Sequence, residues 1–228
     1  MTNKIQISRL KKDARQLMIG KYGITIAALL ITMLVRYMLT FFALVVSGES
    51  FALYTILVIA ASIFMGIFAS GSAYLYLNIV YDGASSFIDI FNGFSENPIK
   101  AILIQMPLTL TSIAMQMPYV LYGTYYNDKQ MLIVATIILF ILYIIVSIAF
   151  SQSFYLLQDF PKWKVTKILA VSTKIMRKNF FTYIKLFVSF IPFVILGIIT
   201  LGVPLLWVLS YMNASFASLY KEISKKEN

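Results

Sequence analysis

Six apolar stretches govern what this 228-residue chain can fold into: Tyr22–Val46, Phe51–Ile79, Pro98–Val120, Met131–Leu157, Phe180–Gly197 and Val203–Tyr220. A helix needs about 20 apolar residues to cross the hydrocarbon of a bilayer, and the first, second and fourth stretches exceed that. The last two form a single apolar run, too long for one span, in which Gly197, Gly202 and Pro204 mark a tight turn. Pro204 suits the first turn of a following helix, where its missing N–H costs nothing. Composition agrees. Hydrophobic residues are 60% of the chain and charged ones 12%, against roughly 25% charged in soluble domains. Because backbone in hydrocarbon must satisfy its own hydrogen bonds, the expected fold is all-α and polytopic, with six transmembrane helices in three hairpins.

Lys and Arg set the expected orientation. With six spans, sixteen of them fall on the side that holds both termini, in the N-terminal arm, around Lys100, through Lys162–Lys178 and after Tyr220. The opposite side has Lys129 alone, while Arg36 and Lys185 lie within spans. Both termini are therefore expected in the cytoplasm. The N-terminal run does not read as a cleavable signal, since its polar arm and apolar run are long and no A-x-A site follows at Ser47–Gly48.

An amphipathic stretch precedes each pair of spans. Ile7, Leu10, Ala14, Leu17 and Met18 share a helical face opposite Lys11, Lys12 and Arg15, ending at Gly20. Val165, Ile168, Leu169, Ser172, Ile175 and Met176 do the same opposite Lys167, Lys174, Arg177 and Lys178, ending at Asn179. Phe87, Ile90, Phe91 and Phe94 make a shorter version ending at Gly93. The spacing is that of helices lying in the membrane interface. The basic residues Lys11, Lys12, Arg15, Lys167, Lys174, Arg177 and Lys178 are expected to touch anionic phospholipid headgroups, at about 1 kcal/mol each. That attraction accounts for the basic charge without nucleic acid.

The second span of each pair carries small residues at four-residue steps: Ser62, Gly66 and Ser70, then Ser147 and Ser151, then Ser210, Ala214 and Ser218. Each ends in Ser-x-Tyr, at Ser72–Tyr74, Ser153–Tyr155 and Ser218–Tyr220. Such stripes let helix backbones approach closely in lipid. The expected organisation is one membrane domain of three repeat-like units, 1–79, 82–157 and 161–220, with a short tail at 221–228.

These same segments carry a resemblance. Arg9-Leu10-Lys11-Lys12-Asp13-Ala14-Arg15, running through Gly20-Lys21-Tyr22-Gly23, resembles the start of a bacterial integral-membrane family catalogued as domain of unknown function 975. The closing Ile198-Ile199-Thr200-Leu201-Gly202-Val203-Pro204-Leu205-Leu206-Trp207, with Tyr211-Met212 and Ala217-Ser218-Leu219-Tyr220, is similar to that family's last hairpin, and Lys174–Asn179 resembles the basic segment before it. The likeness is strongest from Ser151 onward and weakest over Asp82–Tyr126. Pro107 and Pro118 depart from it, lacking the glycine that often follows a proline there. The resemblance implies a multi-pass protein of the bacterial cytoplasmic membrane and assigns no activity.

Catalytic chemistry is sparse. The chain has no cysteine and no histidine, which removes disulfides, thiol nucleophiles, imidazole bases and His-ligated metals. The nine acids lie in tails, connections or span ends, so no intramembrane carboxylate pair forms. Ser-x-x-Lys at Ser8–Lys11 and Ser218–Lys221 has no third orienting group, and no phosphate-cradling glycine loop is present. No enzyme and no cofactor are expected. Asp82, Asp89 and Glu96, seven apart, either dock the second amphipathic stretch on the third or form a solvated face.

Arg36 is the most informative residue, because a charge at the bilayer centre costs at least about 2.5 kcal/mol. Either it snorkels to the external headgroups or it meets a polar site, with the amides of Gln105, Gln116 and Gln152 as candidate partners. Pro107 and Pro118 make the third span irregular, either lining a cavity or sealed. Two function classes follow. One is a non-enzymatic accessory, scaffold or regulatory component that binds a membrane protein partner or lipid. The other is a transporter or channel for a small or lipid-like solute. A continuous polar cavity reaching Arg36 discriminates them.

Overall fold

The computed structural model describes residues 6–125 and 129–227. Within them every regular element is helical: α1 (Ile7–Leu17), α2 (Tyr22–Ser47), α3 (Phe51–Val80), a 3-10 turn (Phe87–Phe91) running into α4 (Asn92–Ser95), α5 (Pro98–Tyr125), α6 (Lys129–Ala149), α7 (Ser153–Asp159), α8 (Val165–Val188), α9 (Ile191–Ile199) and α10 (Leu205–Glu227). Five stretches are long and apolar enough to cross a membrane: Tyr22–Ser47, Phe51–Val80, Pro98–Pro118, Gln130–Asp159 and Val165–Ile199. The sixth expected span, α10, is not among them. Ser210, Asn213, Ser215, Ser218, Lys221 and Glu222 dilute its hydropathy.

α3 is apolar all round and runs through the middle, touching α2, α5, α7, α10 and the 3-10 turn. Ser50 caps its start, accepting from Leu53 N at 3.3 Å. The closest approach is to the second amphipathic stretch, where two glycines face each other's backbone. A Cβ on Gly71 would lie 1.8 Å from the Ile90 carbonyl oxygen, and one on Gly93 would lie 2.0 Å from that of Ile67. Around this notch Phe64, Phe68, Phe91 and Phe94 pack edge to face, Phe68 and Phe94 at 5.3 Å between ring centres. Gly66 meets α5 in the same way, against Ala101 and Gln105.

The ends of α3, α7 and α10 are tied together. Tyr220 and Tyr81 both donate to Asp159 Oδ2, at 2.7 and 3.5 Å, and Lys221 Nζ donates to the Val80 carbonyl at 2.6 Å. Gln158 donates to the Oγ and carbonyl of Ser70, and Tyr155 stacks on Tyr220 at 5.4 Å. Two of the three Ser-x-Tyr ends thus meet directly.

Several boundaries differ from expectation. α8 does not stop at Asn179, whose amide donates to Ile175 O within the same helix; the break comes at Ser189–Phe190, with Pro192 opening α9. The fourth apolar stretch is broken at Phe150–Gln152 into α6 and α7. The amphipathic faces are covered by protein: Leu10 and Ala14 of α1 with Met18 just after it, and Ile168, Ile175 and Met176 of α8, are buried in the two core clusters, and Ser172 of α8 is buried as well. Ser172 even donates to Ala149 O at 2.7 Å, pinning α8 to α6. The acidic triplet does not dock on α8. Asp82 pairs with Lys21 at 3.5 Å, Asp89 caps Ser86 N and accepts from Asn78, and Glu96 is exposed.

Because a methyl group at the notch meets backbone rather than a movable side chain, Gly71→Ala and Gly93→Ala should each destabilise by about 1–3 kcal/mol. Gly23→Ala, with nothing within 4 Å of the added Cβ, should leave the melting temperature in detergent unchanged. Equal melting of all three variants would refute the notch as a structural constraint.

Candidate functional site

Among α2, α3, α5, α6 and α7 lies a cavity of about 330 Å³ lined by Arg36 of α2, Ser62 of α3, Gln105, Leu108, Thr109 and Ser112 of α5, Tyr143 and Ser147 of α6, Phe150 and Ser151 at the α6–α7 break, and Phe154 of α7. Each element delivers these residues for a local reason. Gln105, Thr109 and Ser112 stand at i, i+4 and i+7 on one face of α5. Helix α5 continues through Pro107 and Pro118; Thr111 Oγ1 donates to the Pro107 and Leu108 carbonyls at 3.0 Å, occupying acceptors beside the proline. The interruption after Ala149 turns Phe150 and Ser151 towards the cavity end.

Polarity is the cavity's main property. Thr109 is 2% exposed and its hydroxyl has no partner; the buried Ser147 hydroxyl has none either. Buried hydroxyls left unpaired cost free energy unless a water or ligand meets them. Arg36 stands exposed at the rim and makes no ion pair or side-chain hydrogen bond among the described residues. From Tyr22 it is about 21 Å along α2, so the cavity lies deep within the spans.

Among the expected polar-site residues, Arg36 and Gln105 are brought together. Gln116 is not: it sits a turn beyond Ser112, exposed, with its amide donating to Ser112 O at 3.4 Å. Gln152 is fully buried behind the wall, donating to Ser151 Oγ at 3.2 Å while its own carbonyl oxygen is unpartnered. Three residues expected to close helix contacts, Ser62, Ser147 and Ser151, line the cavity instead, whereas Gly66, Ser70, Ser210, Ala214 and Ser218 are buried in packing. Thr109, Ser112 and Tyr143 were not anticipated, although the i, i+4, i+7 spacing after Gln105 was there to be read.

The DUF975 family, described as a protein of unknown function, matches residues 1–227. The chain belongs to DUF975. No curated protein and no solved structure matches it. The family assignment agrees with the resemblance seen at both ends of the sequence, and it leaves the chemistry of this DUF975 chain to be read from its own side chains.

The basic residues divide sharply. Lys12, Arg15, Lys167, Lys174, Arg177 and Lys178 are exposed, Lys167 over the Trp163 ring at 3.9 Å. Lys11 does not. Its ammonium donates to the carbonyl and hydroxyl of Ser189 at 3.2 Å and lies 4.3 Å from the centre of the Phe190 ring, near Phe193 and Tyr211. Burial pushes its pKa below the ordinary lysine value. Tyr211 returns a hydrogen bond to the Lys11 carbonyl at 2.9 Å. Lys11→Gln should therefore lower stability by about 1–2 kcal/mol, while Lys12→Gln should be neutral in the same melt. Indistinguishable melts would show that the Lys11 cage is not a structural contact.

Proposed function

We propose that this DUF975 protein is a non-enzymatic component of the bacterial cytoplasmic membrane, both termini cytoplasmic, that binds a small polar or lipid-headed ligand in the cavity beside Arg36. The observation that carries this reading is the cavity itself, a polar chamber deep in the helices that reaches Arg36 and holds the unpartnered Thr109 hydroxyl. A component that only docks a protein partner needs no such chamber. A carrier or ligand-responsive regulatory subunit does. The lining supports a non-enzymatic role: it holds no carboxylate, and Arg36 and Tyr143 are its only ionisable side chains. The sixteen-to-one bias of Lys and Arg across the expected spans supports the orientation, and three successive units of amphipathic stretch plus helix pair support the repeat.

Native mass spectrometry after mild extraction tests the reading. The wild type should carry one recurrent lipid or small molecule per chain, and Ser112→Phe, which fills the cavity, should lose it while keeping its melting temperature. A chain that co-purifies with a protein at fixed stoichiometry, carrying no small molecule, would replace ligand binding with partner docking.

A further inference from the structure

We infer that the ligand of this cavity is an anionic amphiphile, its oxyanion headgroup held by Arg36 and its apolar tail leaving into the bilayer; this rests on the cavity being a binding site. The lining offers one guanidinium, one carboxamide and the hydroxyls of Ser62, Thr109, Ser112, Tyr143, Ser147 and Ser151, with no carboxylate. Ser112 and Ser151 already donate to the Thr109 and Ile148 carbonyls; the remaining set, the guanidinium, the carboxamide and the Ser62, Thr109, Tyr143 and Ser147 hydroxyls, donates hydrogen bonds around a single positive charge. It is matched by a phosphate or carboxylate, which guanidinium binds with two parallel hydrogen bonds. Arg36 lacks a protein counter-ion among the described residues, and in hydrocarbon an unpaired cation is costly. An anion at the rim offsets that cost.

The cavity's size and mouth select for a tail. About 330 Å³ lies at the low end of ligand pockets, which run from about 300 to 1,000 Å³, and accommodates a headgroup but no acyl chain. Arg36 is exposed together with Met33, Tyr37 and Thr40, one turn to either side on the outer face of α2. That face belongs to a 26-residue apolar helix, so the mouth opens sideways into lipid.

The purified full-length chain in nanodiscs of mixed phosphatidylglycerol and phosphatidylcholine, analysed by native mass spectrometry, provides the test. One phosphatidylglycerol should stay bound at energies that strip phosphatidylcholine. Arg36→Gln should reduce its retention about tenfold, as loss of a charged hydrogen bond would, and Arg36→Lys should recover part of it. Replacing Lys174, Arg177 and Lys178 with Gln should remove loosely held lipid without touching the retained one. Phosphatidylglycerol lost from Ser112→Phe but retained by Arg36→Gln would overturn the anionic class yet keep the cavity as a site. Retention unaffected by either variant would overturn both readings. Soluble glycerol phosphate occupying the site as tightly as the lipid would also overturn the amphiphile, in favour of a free anion.

The turn between α9 and α10 has none of the character of an aqueous loop. Ile198, Ile199, Leu201 and Val203 are exposed, Leu201 at 94%, whereas the α2–α3 turn reads Ser47-Gly48-Glu49-Ser50. Helix α1, whose charged face of Arg9, Lys12, Asp13 and Arg15 is exposed, grips both legs of this hairpin, at Ser189 through Lys11 and at Tyr211. Since that charged face belongs at the headgroups, both legs leave the interface at Ser189 and Tyr211. From there α9 rises only about 14 Å, half of the hydrocarbon's ~30 Å. Several of the turn's polar atoms are paired: Gly202 N donates to Gly197 O at 2.9 Å, Leu205 N to Gly202 O at 3.0 Å, and Thr200 Oγ1 to Leu196 O at 2.8 Å. Pro204 has no N–H to satisfy. We infer that the third hairpin is re-entrant, dipping to the middle of the bilayer and returning to the same side, so that α2, α3, α5 and α6 make the full crossings.

The natural absence of cysteine makes the test direct. In sealed membranes, an impermeant maleimide applied to the face that labels Glu49→Cys should leave Leu201→Cys untouched, as should the opposite face, with labelling only after detergent. Labelling of Leu201→Cys from the Glu49 face would show a full crossing and overturn the inference.

Discussion

The approach of α3 to the second unit is the contact on which the rest of the bundle is arranged. Ile90 and Ile67 present carbonyls where Gly71 and Gly93 have no side chain, so the two segments meet backbone to backbone. In a bilayer, where lipid tails compete equally for apolar side chains, close backbone approach is one of the few sources of helix association. That contact fixes the start of α5, and Gly66 carries the same closeness one step outward to Ala101. Beyond Gly66 the small-residue stripe continues as Ser62, but the facing residues are Gln105 and Thr109, and the helices part around the cavity. A packed seam thus becomes a polar chamber within two turns of one helix.

The large elements were legible because hydropathy and helix length are additive properties of a segment. The stripe residues were legible as a pattern, but not in their two roles. Gly66, Ser70 and Ala214 close contacts, whereas Ser62, Ser147 and Ser151 border empty space, and a four-residue step is the same in both cases. Lys11 and Lys12 show a similar limit. Adjacent lysines in an amphipathic helix differ by about 100°, and the rings of Phe190 and Tyr211 that select Lys11 come from the far end of the chain. The amphipathic faces are apolar as read, and those of α1 and α8 pack on protein; a buried protein surface and a bilayer interface demand the same periodicity, so the pattern alone did not show it.

The break at Asn179 failed for a related reason. An asparagine before an apolar run is a helix-ending signal only if its side chain competes for the backbone. Here its amide instead donates back to Ile175 O along the helix. The third unit consequently fuses its amphipathic helix to its first apolar helix, and the length spent along α8 is not available for depth. The same order of elements therefore serves two different geometries, separate amphipathic and apolar helices at α1 and α2 and one fused helix at α8.

That difference bears on what the protein can do. The cavity is walled by the first two units, and α9 and α10 are not part of it. Helix α10 instead joins the tie among helix ends, where its Tyr220 and Lys221 engage Asp159 and the end of α3. Asp159 closes α7, and α7 begins beside Ser151 and carries Phe154, both at the cavity wall. The cavity wall and the tie at Asp159 are thereby joined through one seven-residue helix. That helix is set off from α6 by the interruption at Phe150–Gln152, where Gln152 is buried with an unpartnered side-chain carbonyl oxygen.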